Sequence, residues 1–438
     1  MVFFENVWWL LVLIGVMILI HELGHYWAAR FFDIRVETFS FGFGPRLFGF
    51  RKGETDFRFS AILFGGYVKM AGEQPADDTA NDPRAFLAKP RWQRLIVVAA
   101  GPFMNVVLAV VLLAGLFMVH FPKLPTTHSP TVGYVAPDGP AAKAGIQEGD
   151  RIVQIDNTVN PDWEDIMMKE VSSARQPLHV TVERNGQRKT MVVTPVLDDK
   201  SGVGFAGWAE QTEIEIYSVQ PGMEAAKAGL KKGDILLSVN GQPIRSTPKL
   251  HDIIDGGNGQ PVDLVYSRNG QIHSMSIKPA KSNLDGQSRW MIGVQLQQRL
   301  EVVRLSLPDA VAESVRENVK SATLVYKFLQ GIVERRMSPK SFEGPIRIAQ
   351  ISGEAAREGA TEFFGLMSMV SLQLAIFNLL PIPVLDGGGI LMLVVEMFIR
   401  RDLSLQVKEN FFKLGFVFLM AFVVFVLYND ITKILPTG

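Results

Sequence analysis

Four long apolar segments dominate the pattern of hydrophobic and polar positions along the chain. A helix that crosses a bilayer needs about 17 to 25 predominantly apolar residues. Four segments meet this length: Val7–Phe32, Leu95–Phe121, Phe363–Leu380 and Phe411–Tyr428. The first lacks the basic n-region and the small-residue cleavage site of a signal peptide, so we interpret it as a retained span. The pattern predicts a multi-pass α-helical membrane protein with four transmembrane helices.

The polar segment between the second and third spans contains an internal repeat. Three patches recur at an offset of 84 residues: AAKAG at Ala141–Gly145 and Ala225–Gly229, GD at Gly149–Asp150 and Gly233–Asp234, and RNGQ at Arg184–Gln187 and Arg268–Gln271. One offset shared by three patches indicates two copies of one domain. Short alternating strands and turn glycines predict a small α+β fold for each copy. The pattern resembles a PDZ domain of the kind associated with bacterial proteases. This implies a groove for an extended peptide, and a rigid spacer or gate is an equal alternative.

Two weaker patterns predict further elements. Apolar residues at three- and four-residue steps between Val311 and Val333 predict an amphipathic helix, which could lie on the membrane surface or pack against the repeated domains. After the first span, Val36–Gly44 and Thr55–Met70 alternate with period two and have glycine-rich ends. They predict β-strands close to the membrane, with an ordinary hairpin as the alternative.

Composition narrows the class of protein and the kinds of site. Of the 438 residues, 47% are hydrophobic and only 20% are charged, which is too apolar for an ordinary soluble protein. Basic and acidic residues number 44 each, so the net charge of zero gives no sign of a nucleic-acid partner. Cysteine is absent. Disulfides and thiolate ligands are therefore excluded, and a metal site has to use His, Asp, Glu or Asn.

The distribution of Lys and Arg predicts the orientation of the spans. The loop from Arg30 to Arg94 and the turn from Arg400 to Lys413 are rich in these residues, so both are expected in the cytoplasm. The termini and the segment from Lys123 to about Glu362 are expected on the opposite side. The predicted organisation is a first span (1–32), a cytoplasmic loop with a membrane-associated β-region (33–94), a second span (95–121), two α+β domains (122–210 and 211–300), an amphipathic helical region (301–360), a third span with a broken segment (361–399) and a fourth span with the C-terminus (400–438).

The sequence HELGH places two histidines and a glutamate inside the first span. His21 and His25 are four residues apart and project from one face of a helix, which suits one zinc ion. Glu22 can reach a water molecule as a general base without ligating the metal. A polar pair buried in a helix bundle is the alternative. We favour the metal site because ionisable groups within spans are costly and usually functional.

A third ligand is needed, because a catalytic zinc normally has three protein ligands and one open position. Asp386 is the only acidic residue of NLLPIPVLDGGG (Asn378–Gly389), where the third span ends near the cytoplasmic side. Prolines and glycines break the helix there, which is tolerated at membrane depth only where the backbone lines a cavity or is buried in protein. Asp386 therefore satisfies the required ligand number, depth and backbone geometry. Capping of the following helix is its alternative role.

The second span contributes GPFMN, residues Gly101–Asn105. Gly101 and Pro102 permit another helix to approach closely. Asn105 falls at the same depth as His21, where its amide can hold a substrate or an oxyanion. This motif is a weak signal when taken alone.

Together these motifs resemble the site-2 protease family of intramembrane zinc metalloproteases, in particular its bacterial tandem-PDZ branch, the RseP type. The resemblance extends over essentially the whole chain, with no departure at the motif positions. It implies zinc held by His21, His25 and Asp386, with Glu22 as the base. It also implies that the substrate-binding residues are Asn105, Asn378 and the β-region glycines Gly42, Gly44, Gly65 and Gly66. In that family the β-region is thought to pair with an extended substrate.

The resemblance further implies a function and a location. The expected reaction is hydrolysis of peptide bonds within transmembrane segments of single-span proteins, such as an anti-sigma factor in envelope-stress signalling and signal-peptide remnants. The expected location is the bacterial inner membrane, with periplasmic PDZ domains and an active site near the cytoplasmic side. One alternative is a non-enzymatic PDZ scaffold or receptor. Another is a zinc peptidase that acts on soluble peptides at the cytoplasmic face.

Overall fold

A computed structural model describes residues 2–73, 82–123, 130–198, 202–284, 287–299, 301–335 and 344–434. The chain forms two compact units. The helical unit comprises Met1–Phe121, Val303–Val325 and Phe342–Leu435, and the repeat unit consists chiefly of Pro122–Val302.

The helices within the described residues are α1 (Val2–Phe31), α2 (Arg91–Val119), α3 (Pro140–Lys143), α4 (Trp163–Ser172), α5 (Glu224–Ala228), α6 (Thr247–Gly256), α7 (Leu307–Val333), α8 (Pro345–Glu358), α9 (Ala360–Leu379), α10 (Asp386–Ile399) and α11 (Leu405–Ile434). A short 3-10 helix covers Phe86–Ala88.

The strands within the described residues are β1 (Val36–Lys52), β2 (Thr55–Met70), β3 (Phe121–Lys123), β4 (Val132–Val135), β5 (Arg151–Ile155), β6 (Thr158–Val159), β7 (Leu178–Arg184), β8 (Gln187–Val193), β9 (Val196–Leu197), β10 (Gly204–Phe205), β11 (Trp208–Glu210), β12 (Ile214–Val219), β13 (Ile235–Val239), β14 (Gln242–Pro243), β15 (Val262–Arg268), β16 (Gln271–Ile277), β17 (Ala280–Leu284), β18 (Gln287–Met291), β19 (Val294–Gln298) and β20 (Glu301–Val303).

The four apolar helices predicted from the sequence are present. By length and composition α1, α2, α9 and the part of α11 up to Thr432 can cross a membrane. Each helix begins a few residues before its apolar segment, because the backbone hydrogen bonds continue into the polar flank. The predicted fold class, a membrane protein with α+β PDZ domains, is confirmed.

Small polar side chains join the helices of the helical unit. Ser368 and Ser371 of α9 donate hydrogen bonds of 2.8 Å to the carbonyl oxygens of Ala109 and Asn105 in α2. Such interhelical hydrogen bonds are a common means of joining membrane helices. Leu13 and Met17 of α1 pack with residues of α9, including Phe363 and Met367. These contacts bring α1, α2 and α9 together around the segment that carries HELGH.

The amphipathic helix α7 packs with the helical unit in its first part, whereas from Tyr326 onward it belongs to the repeat unit. Its residue Ala310 lies in a buried cluster with Ala114 and Phe117 of α2. Ser314 of α7 donates a 2.8 Å hydrogen bond to the carbonyl oxygen of Val110. The first part of α7 therefore packs on a transmembrane helix. The sequence-based expectations named only the membrane surface and the repeated domains as partners.

The strands β1 and β2 form a curled sheet and not a simple hairpin. Residues 36–41 pair on one side with 66–70 and on the other with 56–59, and residues 46–52 pair with 55–60. The order across the sheet is therefore 66–70, 36–41, 56–60, 46–52. The half-strand 66–70 is an edge, because no other described strand pairs with its outer side. Val36, Phe39 and Val68 pack in a cluster with Ala29 of α1, which attaches the sheet to that helix.

The two copies in the repeat unit share a four-strand order and have separate cores. The sheet β6-β5-β7-β8 of the first copy corresponds to β14-β13-β15-β16 of the second, whose six-stranded sheet continues from β13 to β12 and β19. The cores contain mainly β-branched and leucine residues, such as Ile152 and Val180 in the first copy and Leu236 and Leu264 in the second.

One interaction explains why three separate patches repeat together. In the first copy Arg184 donates to both carboxylate oxygens of Asp150 at 2.6 Å and to the carbonyl oxygen of Gly145 at 2.7 Å. In the second copy the corresponding bonds run from Arg268 to Asp234 and Gly229. Both aspartates are only 1% exposed. Each copy needs all three patches because a buried carboxylate is stable only when it is paired.

Candidate metal centre

The metal-ligating candidates of the sequence meet at one point of the helical unit. Nε2 of His21 lies 3.2 Å from Nε2 of His25. Oδ2 of Asp386 lies 3.1 Å from Nε2 of His21, and its Oδ1 lies 3.5 Å from Nε2 of His25. One ligand atom from each of the three residues fits within 4.8 Å of the others. Two imidazoles and a carboxylate form a donor set typical of catalytic zinc, with a position left for water or substrate.

Glycines allow the helices around this point to approach closely. A Cβ added at Gly24 of HELGH would lie 2.3 Å from the carbonyl oxygen of Ala100 in α2. A Cβ added at Gly101 of GPFMN would lie 2.3 Å from Nε2 of His25 and 2.7 Å from Nε2 of His21. At Gly101 a side chain would therefore occupy the space in front of both ligand nitrogens, where a metal ion fits.

The backbone around Asp386 is shaped by glycines and by a strained residue. Asp386 is the first residue of α10. Gly387 and Gly388 lie against the preceding turn, where an added Cβ would come within 2.0 Å of the Leu380 carbonyl oxygen and 2.5 Å of that of Ile382, respectively. Val384 has a φ of 82°, which is rare for a β-branched residue. The broken segment thus turns back on itself and directs the Asp386 carboxylate toward α1.

Hydrogen bonds orient the imidazole rings. Nδ1 of His25 lies 2.8 Å from the carbonyl oxygen of Val97, so Nδ1 carries the proton and Nε2 is free to ligate. Asn105 is fully buried, and its Nδ2 lies 3.3 Å from Nδ1 of His21. Its Oδ1 has no hydrogen-bond partner among the described residues. Turning the amide by 180° would place Oδ1 against a protonated Nδ1 and leave Nε2 of His21 free to ligate. The structure thus places Asn105 against a candidate ligand.

Glu22 lies beside the edge of the curled sheet. Its side chain is half-buried and accepts a hydrogen bond from the backbone of Val68. A Cβ added at Gly66 would come within 3.1 Å of Cγ of Glu22, so only a small residue fits there. The candidate base is therefore next to the edge half-strand 66–70.

The other predicted substrate-binding residues are less closely connected to the metal centre. Gly42, Gly44 and Gly65 all have positive φ, and a Cβ at Gly65 would collide with the ring of Phe43. They shape the curl of the sheet. Asn378 is half-buried near the end of α9, and no hydrogen bond of its side chain is found among the described residues.

Sequence reasoning missed a buried ionic cluster at the other end of α10. Glu396 is 1% exposed and accepts hydrogen bonds from Lys408 Nζ at 2.7 Å and from the Leu403 backbone at 3.0 Å. Arg94, 3% exposed at the start of α2, lies 3.3 Å from Asp402 and 4.0 Å from Glu396. The cluster holds the end of α10 against α2 and α11. An acidic residue in an otherwise apolar helix was the available signal.

The chain is similar to known proteases along nearly its whole length. The family model "Peptidase family M50" matches residues 9–422. A protein of Xylella fastidiosa (strain 9a5c) that is named as a zinc metalloprotease is 33% identical, covering 98% of this chain and 99% of the relative. The Regulator of sigma-E protease RseP of Salmonella typhimurium (strain 14028s / SGSC 2262) is 30% identical, covering 97% and 98%. RseP of Escherichia coli (strain K12) is 29% identical, with the same coverage.

Among solved structures, a PDZ domain is similar to about a fifth of the chain. The PDZ domain of an SdrC-like protein from Listeria monocytogenes is 22% identical and covers 20% of this chain and 90% of its own, with a TM-score of 0.18.

These similarities exclude one of the functional classes that the sequence left open. A non-enzymatic scaffold is excluded, because a peptidase family covers both the spans and the repeat unit. Zinc is the cofactor, in agreement with the relatives' names and with the donor set. The apolar helices and the RseP relatives make this an inner-membrane protein. The chain belongs to peptidase family M50, and it is a membrane-bound zinc metalloprotease.

Proposed function

We propose that this protease hydrolyses peptide bonds inside the transmembrane segments of single-span membrane proteins. The observation that carries the proposal is the position of HELGH within α1, a helix long and apolar enough to span the bilayer. His21, His25 and Asp386 would hold the zinc ion, with Glu22 beside it as the general base. Such polar groups are costly at membrane depth, so their presence there indicates that the scissile bond reaches the same depth.

The proposed reaction is the addition of water across a peptide bond. Zinc held at this site supplies Lewis acidity, which polarises a carbonyl group and lowers the pKa of water to about 7. The Glu22 carboxylate accepts one proton from the attacking water and passes it to the leaving amine nitrogen as the carbon–nitrogen bond breaks. The Val97 carbonyl and the Asn105 amide keep the imidazoles of His25 and His21 in fixed orientations. A peptide bond and one water are thus converted into a carboxylate and an ammonium group, with both protons of the water transferred to the leaving nitrogen.

The substrate helix has to unwind locally, because its amides are protected by internal hydrogen bonds. Backbone groups that lose these bonds inside a membrane need new partners. The edge half-strand 66–70 lies next to Glu22 and offers backbone groups for β-addition. An unwound substrate segment paired with this edge would pass directly beside the base.

The proposed substrates are of the anti-sigma-factor type, together with signal-peptide remnants. The relatives named regulators of sigma-E protease support this class.

The PDZ domains are proposed to be periplasmic, with the active site near the cytoplasmic face. Arg91 and Arg94 both contact Asp402, at 3.0 and 3.3 Å, so the two basic segments would share one side of the membrane. A phosphatase reporter in the turn at Gly186 should be active, and one in the turn at Gly53 should be inactive.

Co-expression of a tagged single-span substrate with wild type and Glu22→Gln tests the proposal. Wild type should produce a smaller membrane fragment, and the variant should reduce its formation at least a hundredfold while retaining zinc, because Gln keeps the shape but removes the base. Near-normal cleavage by the zinc-loaded variant would contradict the mechanism. Equal cleavage of a soluble peptide with the same cut site would instead favour a peptidase of the cytoplasmic face.

A further inference from the structure

The helices α4 and α6, which are equivalent in the two PDZ copies, carry different types of side chain at a shared buried position. Both helices have a polar N-cap 84 residues apart, Asp162 for α4 and Ser246 for α6. The same offset aligns Glu170 of α4 with Ile254 of α6, which are 9% and 4% exposed. One copy therefore carries a carboxylate where the other carries an aliphatic side chain.

The Glu170 carboxylate binds a loop of the first copy that has an equivalent in the second copy. Residues 205–208 (FAGW) match 291–294 (MIGV), because Gly207 and Gly293 have similar φ values of 81° and 84°. The carbonyl oxygens of Ala206 and Ile292 also accept equivalent 2.8 Å bonds from α3 and α5. In the first copy Oε1 of Glu170 accepts from the Ala206 amide at 2.6 Å, and Oε2 accepts from Trp208 Nε1 at 2.7 Å.

A glutamate in this place satisfies the same donor that an incoming peptide would use. Backbone amides that converge on one point can capture the C-terminal carboxylate of a peptide. The Ala206 amide already donates a short hydrogen bond to the Glu170 side chain of the same domain. Charge assistance makes such a bond stronger than one between neutral groups.

The second copy has neither partner of this contact. Ile254 offers no acceptor to the Ile292 amide, and Val294 replaces the indole of Trp208. Beside this loop lies a groove of about 1300 Å³, whose lining includes Leu250, Ile254, Ile292 and Val294. The lining combines these apolar side chains with the loop residues 291–294, which suits an extended peptide with an apolar last residue.

We propose that Glu170 is an internal ligand of the first PDZ copy that closes its loop to peptide C-termini, so that only the second copy binds one. This inference does not depend on the zinc site, since it concerns contacts within the repeat unit alone. It assigns different tasks to two domains of common origin, one self-occupied and one open.

Peptide binding to the full-length protein in detergent tests the proposal through a reciprocal exchange. The probe is a fluorescein-labelled hexapeptide with a free C-terminal valine, and its amidated form is the control. Wild type should bind one peptide per chain, Glu170→Ile two, and Ile254→Glu none or at least tenfold more weakly. Glu170→Gln keeps a carbonyl acceptor for the Ala206 amide, so it should remain at one.

A photo-crosslinking version of the same peptide gives an answer that does not require the Glu170→Ile variant to fold. In wild type the crosslinks should map only to the second copy, between Ile214 and Gln298. Crosslinks to the first copy, binding of two peptides or of none by wild type, or unchanged binding by a folded Ile254→Glu variant would each overturn the proposal. So would a folded Glu170→Ile variant that still binds a single peptide.

Discussion

The helical unit and the repeat unit use polar side chains in opposite ways. In the helical unit polar groups are few, and several of them meet at the candidate metal centre or in a buried ion-pair cluster, as His21, Asn105 and Glu396 do. In the PDZ copies polar groups are common, and most belong to turns or to the repeated Asp–Arg pair. Cost explains the difference, since a polar group without partners is far more expensive in hydrocarbon than at a wet surface.

The same difference in cost determines where function can be predicted from sequence. A rare polar residue in an apolar helix is informative by its presence alone, so the candidate zinc ligands could be named without a structure. Glu170, one acidic residue among many in a water-soluble domain, carries no such signal. Its role depends on the Ala206 amide and the Trp208 indole, which only the fold brings to it.

The largest expected effect comes from removing a ligand in the helical unit. Purified wild type should contain about one zinc ion per chain. Asp386→Ala and His21→Ala should lower the metal content to near zero and abolish cleavage, because two remaining ligands cannot hold a catalytic zinc. Metal analysis by mass spectrometry measures this directly. Full zinc occupancy in Asp386→Ala would remove Asp386 from the ligand set.

A second prediction concerns space and not chemistry in the helical unit. Gly101→Ala places a methyl group 2.3 Å from Nε2 of His25, so zinc affinity should fall at least tenfold. Gly115→Ala is a matched control on the same helix, because no described atom lies within 4 Å of its added Cβ. Competition with a zinc chelator gives both affinities. Equal affinities of the two variants would show that the metal does not use the space in front of Gly101.

A third prediction separates the two units. Deleting Lys123–Arg299 removes both PDZ copies and none of the candidate ligands, so zinc content should stay at one per chain. If the copies exclude large substrates, the shortened enzyme should cleave a substrate that still carries a folded outer domain, which wild type rejects. Cleavage of short substrates should be unchanged within about twofold. A loss of short-substrate cleavage in the zinc-loaded deletion would instead indicate recruitment through the PDZ grooves.

The last prediction is a pH dependence within the repeat unit. Burial raises the pKa of Glu170 from 4.5 to about 7, against the hydrogen bonds from Ala206 and Trp208. Because the pKa of Glu170 is higher in the folded than in the unfolded chain, the protonated carboxyl contributes to the free energy of unfolding below pH 4.5. This contribution, about 3 kcal/mol, is lost as the pH rises through about 7. The protection of the β7 amides against hydrogen exchange, measured relative to the intrinsic rate at each pH, should therefore fall over this range in wild type, and less so in Glu170→Gln.

Glu210 titrates in the same range and needs its own control. Burial raises its pKa to about 7 as well, with a hydrogen bond from Gln298 opposing the shift. Glu210→Gln should remove only its own share of the pH dependence. If Glu170→Gln retains the full wild-type dependence while Glu210→Gln abolishes it, the buried carboxylate of α4 is not the group that titrates.

Features with a local or periodic signal could be predicted from the amino-acid sequence alone. The apolar length of the spans, the spacing of His21 and His25, the broken helix around Asp386 and the 84-residue repeat can each be read from neighbouring residues or from one offset. The predicted zinc-ligating set is the set that meets in the structure. These features follow from helix geometry and from the cost of polar groups in apolar segments.

Contacts between segments that are distant in the sequence depend on the tertiary structure. The Val97 carbonyl lies 72 residues from His25, and Asn105 lies 84 residues from His21, yet both orient the imidazoles. The same holds for the packing of α7 on α2, the sheet edge beside Glu22 and the Glu170 contact that distinguishes the two PDZ copies. Each depends on the packing of whole elements, so no local pattern of residues could have predicted it.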